Sequence, residues 1–228
     1  MKLAMAALLT VIVLADDAKY SVRTTSAAHV QLMNGSNEPW SPAERVEWGP
    51  SKYATTFRAL WNPRGLYLRF DAKDDKPWNT MTRRDDHLWE EEVVEIFLDV
   101  NRSGKNYAEI EISPANVICD VLMISPSPNK KNDLTWNFPG LESHVEKHES
   151  FWTALVFLPW NGFLTLPGVR ATALPMKGGG DWRFNLFRIK RPGGPSNPEK
   201  NAVLAAWSPT GQPSFHVPAA FRELIFQP

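Results

Sequence analysis

Hydrophobic and polar residues alternate one by one over several short runs of this chain, and no long run repeats at the helical period. In residues 66–72, Leu66, Leu68, Phe70 and Ala72 form one face and Tyr67, Arg69 and Asp71 the other, the signature of a strand with one face on a core. Residues 93–99 do the same, with Val94, Ile96 and Leu98 inward and Val93, Glu95, Phe97 and Asp99 on the opposite side. In residues 107–113 the apolar face is Ala108, Ile110 and Ile112. The intervening residues 101–106 read as a turn, so these two strands are expected to pair antiparallel. A hairpin symmetric about that turn sets Glu95 opposite Glu111, Phe97 opposite Glu109 and Asp99 opposite Tyr107. Two carboxylates, Glu95 and Glu111, would then share one site on the side away from the main core.

Further strands are predicted at residues 46–49, 53–61, 116–124, 151–158, 182–191 and 202–207. Asn62-Pro63-Arg64-Gly65 has proline and glycine where a tight hairpin turn wants them. Residues 73–88, rich in charge and containing Trp78, break the alternation and read as a long loop of the kind that carries function on a rigid scaffold; Trp89 follows at its far end. Many short strands, no internal repeat and punctuating Pro and Gly clusters give a single all-β domain over residues 16–228, expected as a two-sheet antiparallel β-sandwich.

Composition narrows the function. The 25 basic and 25 acidic side chains balance, which gives no electrostatic case for nucleic acid or an anionic membrane surface. Ten tryptophans, twelve phenylalanines and four tyrosines suit aromatic core layers or stacking surfaces for flat ligands. The lone Cys119 forms no disulfide and, within an apolar run, reads as a buried thiol. Residues 1–15 carry Lys2, an apolar run from Leu3 to Leu14, and Val13 and Ala15 ahead of Asp16-Asp17, the pattern of a secretory signal peptide. No apolar run reaches the roughly 20 residues of a spanning helix. The expected location is therefore secreted, periplasmic or extracellular.

Taken in order, Ala59-Leu60-Trp61 with Gly65-Leu66-Tyr67-Leu68, the run from Trp89 to Asp99, Phe184-Asn185, Ala206-Trp207-Ser208-Pro209, and Phe215 to Phe221 resemble the carbohydrate-binding module family 9 domains, within the DOMON-like group of β-sandwiches. The resemblance implies a jelly-roll-like sandwich with a slot in which two aromatic rings clasp a terminal sugar of an oligosaccharide or polysaccharide such as a plant-type glucan or xylan. Trp89 matches the first ring. Phe215 matches the second, where tryptophan is usual, so weaker stacking is expected. Glu95 matches the carboxylate beside the slot, and Asn185 and His216 are candidates for its polar rim. The main departure lies on the adjacent strand, where an arginine and an asparagine of the family fall on Glu111 and Ser113. A Glu95–Glu111 pair must raise one pKa or recruit a cation. Arg69, Arg183, Arg188 and a bound calcium are the candidates, with Asp74, Asp75, Asp85 and Asp86 open as calcium ligands or as a plain solvated loop. Family members commonly accompany glycoside hydrolases, which makes such enzymes candidate partners.

Two other function classes stay open. Paired carboxylates at Glu95 and Glu111 suit a glycoside hydrolase, although directly opposed residues in a hairpin sit close, with Cβ atoms about 5 Å apart. Some DOMON-like sandwiches hold b-type haem, for which Met81, Met123, Met176, His87 and His216 would be the ligands to choose from. His144 and His148 lack the glutamate of a zinc-protease motif. The reading preferred on these residues is a non-catalytic carbohydrate binder.

Overall fold

A computed structural model describes residues 19–126, 128–177 and 180–228, and the expected leader at 1–15 lies outside them. Among the described residues thirteen strands form in chain order: β1 (Lys19–Thr24), β2 (Val46–Trp48), β3 (Thr55–Asn62), β4 (Gly65–Lys73), β5 (Val93–Asp99), β6 (Tyr107–Ile112), β7 (Ile118–Ser125), β8 (Lys131–Asp133), β9 (Glu142–Lys147), β10 (Phe151–Pro159), β11 (Asp181–Lys190), β12 (Val203–Ala206) and β13 (Arg222–Gln227). They hydrogen-bond in the order β8-β7-β6-β5-β11-β13-β1-β3-β4-β10-β9, with β12 beside β11 and β2 beside β3.

This continuous sheet is wrapped around one core, which makes it an all-β sandwich. Phe57, Leu68, Phe70, Trp152 and Val156 come from β3, β4 and β10, and they share a buried cluster with Ile96, Leu98, Ile110, Phe184 and Leu186 from β5, β6 and β11. The inward residues of β4 and β5 are those the alternation assigned. The β5–β6 register also follows the expectation, with Glu95 opposite Glu111 and Phe97 opposite Glu109. One correction concerns direction. β1 runs parallel to both β13 and β3, Lys19 lying opposite Glu223 and Arg23 opposite Leu60, so the sheet is mixed rather than wholly antiparallel. Strands brought together from distant parts of a chain are not joined by a tight turn, and nothing obliges them to alternate in direction.

Both outer faces are partly covered. Over β3, β4 and β10, Leu32 and Trp40 pack on Leu60, Tyr67, Leu155 and Phe157, so Tyr67 points away from the main core and is still fully buried. Over β5, β6, β7 and β11, Leu88 and Phe221 pack on Phe97, Tyr107, Val121 and Phe187. Asp99 closes the β5–β6 hairpin by accepting from Ser103 N at 3.1 Å and Gly104 N at 2.7 Å. That hairpin fixes the register on which the carboxylates below depend.

Candidate functional site

The outer face of β5, β6 and β11 carries a cavity of about 220 Å³. Trp89, Phe215, Ile189 and Leu204 supply its apolar lining, and Glu95, Glu109, Lys130, Arg191 and His216 its polar lining. Trp89 stands on a single 3-10 turn, Leu88–Glu90. Its backbone oxygen accepts from Arg191 Nη2 at 3.0 Å, and its ring stacks on His87 with centroids 4.5 Å apart. Phe215 stacks on Phe187 of β11 at 4.3 Å and 19°, which presents its other face outward. Both rings are half-buried.

The loop before Trp89 is pinned to β11 by a buried ion cluster. Asp74 meets Arg188 at 2.9 Å and Lys190 at 2.8 Å, and Glu92 meets Lys190 at 2.7 Å. Arg188 also lies over the Trp152 ring. Glu91 accepts from the backbone N–H of Thr80 at 2.7 Å and from that residue's hydroxyl, and Trp78 Nε1 donates to Arg191 O at 2.7 Å. The Trp78 indole is thereby tied to β11 and is absent from the cavity lining.

Beneath the aromatic walls lie Glu95, Glu109 and Glu111, exposed by 2, 4 and 0 %. One carboxylate oxygen from each lies within 4.8 Å of the others. Glu95 Oε1, Glu109 Oε2 and both oxygens of Glu111 are buried with no N–H or hydroxyl donor among the described residues, and Glu109 and Glu111 lie close enough to share a proton. Burial raises all three pKa values above the usual carboxylate range. For Glu95 the neighbouring Glu109 charge adds to it; for Glu111 the charges of Glu95 and then Glu109 add to it. Glu109 is pushed up to about 7 by burial, and Lys130 opposes that rise. His216 stacks on Phe97 at 5.0 Å, bonds Tyr107 Oη through Nδ1 at 3.1 Å, and has Nε2 4.0 Å from Glu109 Oε1. Burial, with Lys130 second, lowers its pKa to about 3, so the imidazole is neutral at ordinary pH.

The sequence-derived candidates divide cleanly. Trp89, Glu95, Phe215 and His216 meet at the cavity, and Glu111 lies under it beside Glu95. Ser113 and Asn185 are not in the lining. Ser113 Oγ accepts from Ala115 N and Val117 N in a turn, and Asn185 exchanges hydrogen bonds with the Ser208 backbone. The candidate arginines are engaged elsewhere: Arg69 with Asp71, Arg183 with Phe221 O, and Arg188 with Asp74. The acidic loop is likewise partly engaged, with Asp75 exposed. Asp74 is spent on Arg188 and Lys190, Asp86 accepts from Thr82 N and Arg83 N, and Asp85 accepts from Asp120 N. Nor does the cavity assemble the methionine–histidine pair considered for haem, because no methionine among the described residues lines it.

Sequence reasoning missed Glu109, Lys130, Arg191 and Leu204. Glu109 was within reach, since it alternates with Glu111 and stands opposite Phe97 in the same hairpin. Arg191 follows Phe187 and Ile189 at the two-residue spacing of one strand face. Its Nε is buried without a partner, while its Nη1 is paired with Glu199.

Residues 35–120 match the sequence model described as carbohydrate family 9 binding domain-like. An extracellular protein of Arthroderma benhamiae is 27 % identical over 177 residues, which cover 75 % of this chain and 78 % of that protein. Among solved structures, a chain from Bacteroides uniformis superposes with a TM-score of 0.70 at 15 % identity, covering 92 % of this chain and 99 % of its own. A carbohydrate binding module family 9 from Caldicellulosiruptor kristjanssonii, in complex with cellotriose, gives 0.63 at 12 % identity, covering 92 % and 94 %. At these identities the superpositions speak to the fold alone. Residues 35–120 of this chain are thus similar to carbohydrate family 9 binding domain-like sequences, and the chain shares the sandwich fold of the superposed structures.

Proposed function

We propose that this chain is an exported, non-catalytic carbohydrate-binding protein whose cavity takes one ring of an oligosaccharide or polysaccharide between Trp89 and Phe215. The observation that carries this reading is the convergence of two half-buried aromatic rings, from far-apart segments, on one cavity with buried polar groups at its base. An aromatic face receives the C–H groups of a pyranose, and each such contact contributes about 0.5 to 1.5 kcal/mol beyond area burial. Arg191 Nε, neutral His216 and the Glu95 carboxyl supply the donor and acceptor mix that sugar hydroxyls require. The family match, and the cellotriose bound by the Caldicellulosiruptor module, support a glucan-type ligand. Export is supported by the leader-like residues 1–15 and by the extracellular relative. Glycoside hydrolases are the proposed companions.

The carboxylates argue for binding rather than hydrolysis. A glycosidase sets two carboxyl groups about 5 to 9 Å apart on either side of the scissile bond. Here the three cluster below the cavity, and Glu111 is wholly enclosed. Titration of gluco- and xylo-oligosaccharides into the protein is expected to change its tryptophan fluorescence, and Trp89→Ala is expected to abolish the change. A flat response across a broad glycan panel, with the wild-type protein folded, would overturn the proposal.

A further inference from the structure

We propose that Glu95, Glu109 and Glu111 form a binding site for one hard divalent cation, calcium foremost, built on the β5–β6 hairpin. The first support is geometric. Calcium takes oxygen ligands at about 2.3 to 2.6 Å, so oxygens up to roughly 5 Å apart fit one coordination sphere. The three carboxylate oxygens here lie within 4.8 Å of one another. The second support is independent of the clustering. Glu111 has no exposed surface, and both its oxygens are buried without a donor. A buried acceptor left unmatched is costly, and three such side chains in one place need either protons or a cation.

Charge and donor type then choose the ion. Ionised, the three side chains carry three negative charges; a divalent ion together with Lys130, whose charge is felt by all three, balances them. The donors are all carboxylate oxygens, which favour calcium, magnesium or manganese over softer metals. Magnesium demands near-ideal octahedral geometry and shorter bonds, whereas calcium tolerates an irregular set. Glu95 and Glu109 also line the cavity, which gives the ion an entry route and leaves its remaining positions to water. The site requires no sugar, although it shares Glu95 with the cavity proposed for one.

The test uses chelator-treated full chain, calcium or manganese ions, and no glycan. Calorimetric titration at pH 8 is expected to show one calcium per chain, and the thermal midpoint should rise with calcium concentration. Glu109→Gln and Glu111→Gln are each expected to weaken binding at least tenfold, while Asp86→Asn, in the acidic loop, leaves it unchanged. Absence of calcium and manganese binding at millimolar concentration by folded wild-type chain would overturn the proposal and leave shared protons as the explanation. So would binding that survives both glutamine variants and disappears in Asp86→Asn.

Discussion

Glu111 is held opposite Glu95 across the hairpin, and Glu109 is its neighbour two residues back on the same face. Their raised pKa values have a defined consequence for stability. Between the unfolded carboxylate value of about 4.3 and the folded value, the native chain binds more protons than the unfolded one, so stability falls as pH rises through that window. For Glu109 the window ends near 7. His216 acts in the opposite sense at lower pH. Its folded pKa of about 3 lies below the unfolded one, so its contribution is present above about 6.5 and lost as pH falls towards 3. The two effects separate by mutation. In metal-free buffer at pH 8, Glu111→Gln is expected to stabilise the chain by about 1 to 3 kcal/mol, since the amide supplies a missing donor and removes a buried charge. Urea unfolding at pH 5 and pH 8 measures the difference, which should shrink at the lower pH. At the cavity wall, Phe215→Trp should tighten sugar binding several-fold by enlarging the stacking face, as read by calorimetry. Sequence alone placed Trp89, Glu95, Phe215 and His216 together because alternation and family resemblance both reach Glu95 and the resemblance reaches the other three. It could not show that Ser113 and Asn185 turn their polar groups to nearby backbone, because that depends on how loops close.

Among the elements, β4, β5, β6 and β10 were legible because each buries one alternating face in the main core. Of the strands that escaped notice, β8 and β9 lack that contrast. β9 pairs with β10 as an outer strand of mostly polar residues, Glu142 to Lys147, and β8 has only three residues. Such strands are specified by the neighbour they pair with more than by their own pattern. The long loop between β4 and β5 was legible as a loop, but its anchorage was not, because Asp74 and Glu92 meet Arg188 and Lys190 only in three dimensions. Removing one partner from a buried ion cluster typically costs about 3 to 5 kcal/mol. Arg188→Ala is expected to fall in that range by chemical denaturation and to loosen Trp89 with it. At the β3–β4 turn, a Cβ on Gly65 would come within 2.4 Å of Leu158 O. Backbone cannot yield cheaply there, so Gly65→Ala should lower the thermal midpoint by several degrees through loss of the β4–β10 contact.

At the scale of the molecule, the two halves of the sandwich are joined through β13 and β1, the strands at either end of the described chain. The jelly-roll-like expectation captured the two faces and their shared core, and it missed this joint because a parallel pairing between residues 19–23 and 223–227 leaves no local mark in the sequence. β13 also pairs with β11, the strand that carries Arg191's neighbours and stacks Phe215 through Phe187. Deleting residues 222–228 should therefore abolish cooperative unfolding, as followed by calorimetry, rather than merely trim an edge. The same joint sets a timetable. During synthesis β11 and β1 both wait for a partner that emerges more than two hundred residues after Lys19, so the two halves of the sheet are joined through β13 only when ribosomal elongation has passed Gln227. Until then the two halves have no strand between them, and the core they share has no frame to close on.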